Sequence, residues 1–119
     1  MRSIASWNWC KYRGQNVIDH EKIRREKIRW DMLVTLDYAR PIGAYEELVL
    51  TTIQGVFQDA TALEVRRTLD YLADRELVKL VKEPSGRWFA DLTRHGIDVV
   101  EYTIDVDPGI ARPTKYWVG

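Results

Sequence analysis

The sequence predicts a mainly α-helical domain with one small β-hairpin, which places it in the α+β class. The chain has 119 residues, the usual size of one domain. Apolar residues recur at helical spacing in three stretches before residue 77, and the period then changes to two on both sides of a Pro-Ser-Gly turn. A hydrophobic content of 45% fills one core of this size without disulfides or metals.

The charge composition excludes a strongly basic protein that coats nucleic acid or a membrane surface. The chain carries 18 basic and 18 acidic side chains, and its formal net charge is zero. The charge is unevenly distributed, because residues 1–30 hold 8 basic and 3 acidic side chains whereas residues 31–76 hold 4 and 9. A surface that binds nucleic acid would therefore cover only part of the molecule. The excess of basic side chains lies in the N-terminal arm and the first helix.

The single cysteine, Cys10, has no partner for an internal disulfide or a metal cluster. Such cysteine usage favours a reducing compartment. The N-terminal residues contain no apolar stretch of signal-peptide length, and no apolar run is long enough to span a membrane. We therefore expect a cytoplasmic protein without a membrane partner.

The first two helices are predicted from apolar spacing. The first extends from His20 to about Arg40 and ends at Pro41. The second extends from about Tyr45 to Phe57. Its expected buried face is broad and consists of Leu48, Val49, Ile53, Val56 and Phe57.

The third helix has the clearest start signal in the chain. Thr61 and Glu64 form an S/T-x-x-E capping box. Val65, Leu69 and Leu72 follow at helical spacing, so these side chains are expected in the core. The helix is predicted to end near residue 76.

A β-hairpin and a short helix are predicted after the third helix. The strands lie on either side of residues 83–86, and the adjacent Trp88 and Phe89 should point to opposite faces, one into the core. Residues 93–103 fit one short helix. The resulting division is an aromatic, basic arm over 1–19, a domain over 20–103 and an irregular tail over 104–119.

The order of two helices, a capped helix and a hairpin resembles a winged helix-turn-helix. The stretch DATALEVRRTLDYLADRELVKL is similar to the turn and recognition helix of ArsR- and MarR-type regulators. The stretch WFADLTRHGIDVVE resembles their second wing strand and the helix that follows it. More distantly, the ending DPGIARPTKYW is similar to small winged-helix proteins of Mu-like transposable phages. The resemblance implies DNA binding and, for the regulator families, control of transcription.

Two positions depart from the pattern of the regulator families. Glu76 occupies the usual place of a glycine, so either a residue with a side chain adopts the left-handed conformation there or the turn differs. Ala62 and Leu63 stand where short polar side chains often face bases. Direct base readout there would be poor, although apolar contact with a thymine methyl group remains open.

The candidate DNA-contacting residues lie on the third helix and the wing. At least one of Arg66 and Arg67 must face solvent, where arginine can bind guanine or a phosphate. Lys82 and Arg87 flank the wing tip, and the Tyr71 hydroxyl could reach a phosphate, although partial burial against the wing is its simpler interpretation. In the alternative interpretation, the basic residues only balance nearby carboxylates, namely Asp59, Glu64, Asp70, Asp74 and Glu83.

The sequence contains no convincing catalytic or metal-binding motif. His20 begins a stretch similar to H-E-x-x-H, but Arg24 replaces the second histidine. His95 has no nearby serine or second cysteine in the sequence, and Glu46 and Glu47 fit charge complementarity at a helix N-terminus. We therefore expect no enzyme activity, metal or cofactor.

Two functions remain open at this point. The first is a DNA-binding transcription regulator that contacts double-stranded DNA through the third helix and the wing. The alternative is a winged-helix protein-interaction module, for example in phage assembly or as a complex adaptor. Its interface would use the aromatic residues Trp7, Trp9, Trp88, Tyr116 and Trp117. A homodimer suits either function, because two-fold proteins read paired half-sites and the terminal segments could exchange contacts between two copies.

Overall fold

A computed structural model describes residues 19–115, which form four helices and a three-stranded antiparallel sheet. The sheet order is β1-β3-β2. This architecture confirms the predicted α+β class. The predictions for Cys10, for the arm before residue 19 and for Tyr116 and Trp117 lie outside the described residues. The elements are α1 (His20–Tyr38), β1 (Ala44–Tyr45), α2 (Glu46–Gln54), α3 (Ala62–Asp74), β2 (Val78–Lys82), β3 (Trp88–Leu92) and α4 (Arg94–Val100).

The two longest helices begin at capping side chains. The Asp19 carboxylate accepts a hydrogen bond from the Lys22 backbone N–H at 3.2 Å. The Thr61 hydroxyl accepts one from the Glu64 N–H at 3.2 Å, as the capping box predicts. The Glu64 carboxylate itself binds Arg24 on α1, so the same residue links the start of α3 to another helix.

The hydrophobic core lies where α1, α2 and α3 meet the sheet. Each of these helices contributes a buried stripe, and α4 adds Val99. The predicted core leucines of α3, Leu69 and Leu72, are fully buried. The remaining fully buried large side chains are Ile28, Met32, Leu33, Leu36, Val49, Ile53, Val65 and Leu77.

Helix α3 ends in a Schellman motif at Glu76, which adopts a positive φ of 63°. The Leu77 N–H bonds to the Leu72 carbonyl and the Glu76 N–H bonds to the Ala73 carbonyl, each at 3.0 Å. Of the two alternatives left by the sequence, a residue with a side chain therefore takes the left-handed conformation. The turn directs the chain from α3 into β2.

Thr93 and Gly96, in the stretch LTRHG at the start of α4, pack this helix against the turn after α3. The Thr93 hydroxyl accepts from the Gly96 N–H at 3.0 Å and donates to the Glu76 carbonyl at 2.7 Å. A Cβ atom on Gly96 would collide with the Leu77 carbonyl and the Leu92 side chain. Threonine and glycine here allow α4 to pack closely against the turn after α3.

The prediction for the second helix was wrong in part. Tyr45 belongs to β1 and pairs with Phe89, and α2 ends at Gln54. Leu48 and Val56 were expected in the core but remain 56% and 66% exposed. The helix is short: Val49 and Ile53 are buried in the core, and Leu50 and the following Phe57 are partly buried against it.

The aromatic pair on β3 follows the prediction in part. Trp88 packs against the core and Phe89 does not, but both residues remain half-buried. Phe89 packs edge-to-face against Tyr45, with ring centroids 5.0 Å apart. Trp88 lies beneath the cationic groups of Arg66 and Lys82. Each ring therefore packs against other side chains of the fold and is not fully open to solvent.

The chain after α4 is irregular through residue 115 but remains in contact with the rest of the fold. Ile110 is buried, and the Ala111 N–H bonds to the Glu26 carbonyl at 3.1 Å. The Arg112 guanidinium donates to the Val99 and Ile104 carbonyls at 3.0 and 2.8 Å. This segment therefore covers the α1 and α4 side of the molecule.

Candidate nucleic-acid interface

The outward face of α3 lies opposite the buried stripe that contains Val65 and Leu69. With 100° per residue, Leu63, Arg67 and Asp74 point most directly outward, and all three are exposed. Asp70 is exposed beside them. The surface that a winged helix would present to DNA thus carries one arginine and two carboxylates.

Arg67 is the candidate residue with the freest side chain. It is exposed, and within residues 19–115 its guanidinium makes no hydrogen bond or ion pair. It lies at the edge of a groove between α1 and α3. All of its N–H donors are therefore available to a ligand.

Arg66 is turned away from this face and toward the wing. Its Nε and Nη2 atoms donate to the two oxygens of Glu46, both at 2.9 Å. Nη2 also donates to the Gly86 carbonyl at 2.8 Å, and the guanidinium carbon lies 4.8 Å from the Trp88 ring centroid. Arg66 therefore connects α3 to α2 and to the wing turn, and its N–H donors are used within the fold.

Both wing candidates are paired with carboxylates. Arg87 Nη2 donates to Glu47 at 2.9 Å, and Lys82 Nζ lies 3.2 Å from an Asp70 oxygen. The hydrogen bond from Arg87 lowers the pKa of the Glu47 carboxyl. Both ion pairs are solvent-exposed, a situation in which such pairs contribute little to stability.

Tyr71 packs against α1, not against the wing as the sequence suggested. The guanidinium carbons of Arg29 and Arg75 lie 3.6 and 4.2 Å from its ring centroid. Arg29 also donates to the Gly109 carbonyl at 2.8 Å. The tyrosine is therefore held between two cations at the edge of α3.

The groove between α1 and α3 has a volume of about 580 Å³. Four arginines and three carboxylates line it, together with Thr61, Leu63, Thr68 and Tyr71. Two of the carboxylates are already bound, because Arg24 donates to Asp59 at 2.8 Å and to Glu64 at 2.9 Å. These hydrogen bonds raise the pKa of Arg24, and the one to Asp59 lowers the pKa of that carboxyl.

The structure thus separates the five predicted contact residues into two groups. Arg67 and Tyr71 line the α1–α3 groove, whereas Arg66, Lys82 and Arg87 lie on the wing side among carboxylates. Sequence reasoning missed the groove arginines Arg25 and Arg29 and the adjacent Arg75. The excess of basic residues in the first 30 positions was the available signal for the first two.

Arginines bind the two carboxylates at the start of α2. No group of three or more His, Cys, Asp or Glu side chains within residues 19–115 is arranged to hold a metal ion. Glu46 and Glu47 bind Arg66 and Arg87 in addition to lying at a helix start. None of the helices between residues 19 and 115 combines the length and apolar character needed to cross a bilayer.

Several solved structures are similar to this chain. No protein-family model matches the sequence, and no curated protein matches it. A candidate DNA-binding protein from Ralstonia eutropha JMP134 aligns over 66% of this chain and 95% of its own, with 20% identity and a TM-score of 0.56. The fold is a winged helix.

Two further structures have the same fold. The complex structure of hsRosR-S4 covers 74% of this chain and 69% of its own, with 15% identity and a TM-score of 0.56. MepR, a transcription regulator of the Staphylococcus aureus multidrug efflux pump MepA, covers 77% of this chain, with 18% identity and a TM-score of 0.53. The aligned region spans 58% of MepR. None of the three is described as a phage protein or an enzyme, and the phage resemblance gains no support from them.

Proposed function

We propose that this protein binds double-stranded DNA through α3 and acts as a transcription regulator. The observation that carries the proposal is the position of Arg67, on the outward face of the third helix of a winged helix. Its guanidinium has no partner within residues 19–115. An α-helix fits the major groove, where arginine binds the O6 and N7 atoms of guanine or a phosphate at the groove edge.

The distribution of charge on α3 favours contact through its N-terminal half. Asp70 and Asp74 lie toward the C-terminal end of the outward face and would repel phosphates, whereas Leu63 and Arg67 precede them. Leu63 is exposed and offers an apolar surface for a thymine methyl group. We therefore expect the helix to enter the groove with its first two turns.

The wing can contribute after an exchange of partners. Lys82 and Arg87 would release Asp70 and Glu47 and bind backbone phosphates instead. This exchange has a small cost, because exposed ion pairs are weak. Arg66 would keep its contacts with Glu46, so its role is to fix the angle between α3 and the wing.

The similar structures support this assignment. One is a candidate DNA-binding protein and another is a transcription regulator. A winged helix by itself can also serve protein interaction, so the DNA-binding proposal rests on the side chains of this chain, above all on Arg67.

Fluorescence anisotropy with labelled duplexes tests DNA binding. At about 50 mM salt we expect binding that weakens as salt rises, and Arg67→Gln should reduce the slope of log K against log salt by about 0.9 if Arg67 binds a phosphate. If it binds guanine, discrimination at one base pair should fall by about 1–3 kcal/mol. Lys79→Gln is the matched control, because Lys79 is exposed on β2. Absence of binding at about 100 μM protein would contradict the proposal.

A groove between α1 and α2 favours a protein contact in addition to DNA. Its lining is mainly apolar, its volume is about 480 Å³, and it includes the exposed Leu48 and Val56. Tyr38 and Ile42 are 85% and 78% exposed, Tyr38 at the groove itself and Ile42 in the loop that follows α1. Exposed apolar surface of this kind marks an interaction site. The occupant we propose is a second copy of the chain, whose Tyr38 and Ile42 would enter this groove.

A homodimer of this kind is compatible with DNA binding. The α1 residues that line the apolar groove, such as Lys27 and Asp31, lie on a different face of α1 from Arg25 and Arg29. Light scattering should give twice the chain mass, and Leu48→Glu should give a monomer. Leu63→Glu is the control, because Leu63 is equally exposed but lies on α3. A monomeric wild type would overturn the dimer.

A further inference from the structure

The Tyr71 ring brings two arginines from different helices close together. Arg29 extends from α1 and Arg75 follows the end of α3, and both guanidinium carbons lie within 4.2 Å of the ring centroid. Arg25 is one turn before Arg29 on the same face of α1. We call Arg25, Arg29 and Arg75 the edge arginines.

No carboxylate within residues 19–115 forms an ion pair with the edge arginines. Of the three groove carboxylates, Asp59 and Glu64 are bound by Arg24, and the exposed Glu21, one helical turn before Arg25, forms no ion pair with it. On the wing, by contrast, each of the basic candidates has an acidic partner. Like charges one helical turn apart are destabilising. The cluster therefore has a repulsion that an anionic ligand would remove.

Arg29 is already held in one orientation. The Tyr71 ring lies 3.6 Å from its guanidinium carbon, and Nη1 donates to the Gly109 carbonyl at 2.8 Å. Its other N–H groups have no acceptor among residues 19–115. Since the side chain is fixed before binding, it loses little conformational freedom when a ligand arrives.

The position of the cluster indicates the ligand. Arg25 and Arg29 line the same groove as Arg67, which is the arginine on the outward face of α3. A helix in the major groove has a sugar-phosphate backbone along each side, and phosphates recur along each strand. The α1 side of α3 therefore faces one backbone when α3 contacts base edges.

We infer that the edge arginines bind phosphates of the DNA strand that borders the groove occupied by α3. This inference rests on the DNA binding proposed above. The principal contact with the DNA backbone would then lie at the junction of α1 and α3, where the cations have no ion pair. The wing cations, which are paired with carboxylates, would contribute fewer phosphate contacts. The contact would strengthen binding to all sequences alike, because phosphates carry no base identity.

The test measures DNA binding of two double variants by fluorescence anisotropy over a range of salt concentrations. The edge variant is Arg25→Gln/Arg75→Gln, and its control is Lys79→Gln/Arg94→Gln. Both double variants remove two exposed positive charges, and the control positions lie outside the groove. We expect the edge variant to lower the slope of log K against log salt by about 0.9 for each arginine that binds a phosphate. At about 50 mM salt its affinity should fall about tenfold below that of the control, equally on all duplexes.

The outcomes separate this inference from the proposed function. If the wild type binds DNA and Arg67→Gln weakens binding, but the edge variant equals its control, the edge inference alone is overturned. If the wild type does not bind, both fail. Thermal melts check that the variants are folded. If the double variant unfolds, Arg25→Gln against Lys79→Gln gives the same comparison, because Arg25 is exposed and its side chain makes no hydrogen bond or ion pair within residues 19–115.

Discussion

The Arg66 guanidinium and the Glu46 carboxylate form a bidentate ion pair that joins α3 to α2. Two parallel N–H···O bonds of 2.9 Å connect them. Glu46 is only 9% exposed and also accepts the Trp88 backbone N–H at 2.8 Å. One carboxylate thus fixes α3, α2 and the β3 strand relative to one another.

Glu46→Ala is expected to lower the free energy of unfolding by about 1–3 kcal/mol, because it leaves the Arg66 donors and the half-buried Trp88 N–H without their acceptor. Urea melts at neutral pH measure the loss. Glu47→Ala is the matched control, since Glu47 is adjacent and forms an exposed pair with Arg87. Equal losses in the two variants would mean that the buried carboxylate does not organise the three elements.

The parts of the fold that depend on local signals could be predicted from the sequence. The Thr61 cap, the helical spacing of Val65 and Leu69, and the two strands around residues 83–86 are all encoded within a few residues. Such signals determine the type and order of elements. They define neither which side of a nine-residue helix faces the core nor where that helix ends, so they wrongly place Leu48 and Val56 in the core.

The candidate site was less predictable because its contacts join distant parts of the chain. The Arg66–Glu46 pair spans 20 residues, and Tyr71 meets Arg29 from another helix. The sequence placed Arg66 and Arg67 beside each other, but packing sends one toward the wing and leaves the other exposed. Tertiary contacts decide which cations are neutralised. They pair Lys82 and Arg87 of the wing with carboxylates, whereas Arg25 and Arg29 of α1 have no ion pair within residues 19–115.

Glu76→Gly is expected to stabilise the fold by roughly 0.5–1 kcal/mol. Glu76 has a φ of 63°, a conformation that glycine adopts without the steric penalty of a Cβ atom. Arg67→Gly, in the middle of α3, should lower stability by about 1 kcal/mol because glycine weakens helix interiors. Thermal or urea unfolding of both variants provides the comparison. A loss of stability in Glu76→Gly would contradict the strain assigned to this turn.

Leu69→Ala is expected to lower the free energy of unfolding by about 2–5 kcal/mol, the range for a fully buried leucine. Leu63→Ala on the same helix should change it by less than about 0.5 kcal/mol, because Leu63 is exposed. Denaturant melts of both variants measure the difference. Similar effects in the two would require a different rotation of α3 about its axis.

Acid should remove the contribution of Asp59 to stability. The hydrogen bond from Arg24 lowers the pKa of this carboxyl in the folded protein. A lowered pKa in the folded state means that the stabilisation is present above the unfolded value of about 3.9 and is lost as the pH falls through the folded value. We expect a small stability difference between wild type and Asp59→Asn at pH 7 that disappears on acidification in urea melts. A difference that persists at the lowest pH would show that the carboxylate charge is not its source.

Gly109→Ala tests whether the segment after α4 positions Arg29. Gly109 has a φ of 103°, and a Cβ atom there would contact the Tyr71 hydroxyl and lie 3.4 Å from Arg29 Nη1. Gly86 has a similar φ of 94° but open space around it, so Gly86→Ala measures the backbone effect alone.

Each substitution should lose about 1–2 kcal/mol from the left-handed conformation. Gly109→Ala should lose more, because the Cβ displaces the tyrosine that supports Arg29. In the anisotropy assay, Gly109→Ala should also weaken DNA binding relative to Gly86→Ala, since Arg29 would no longer be fixed before it meets a phosphate. Equal stability and equal affinity in the two variants would mean that Tyr71 and Arg29 do not depend on this segment.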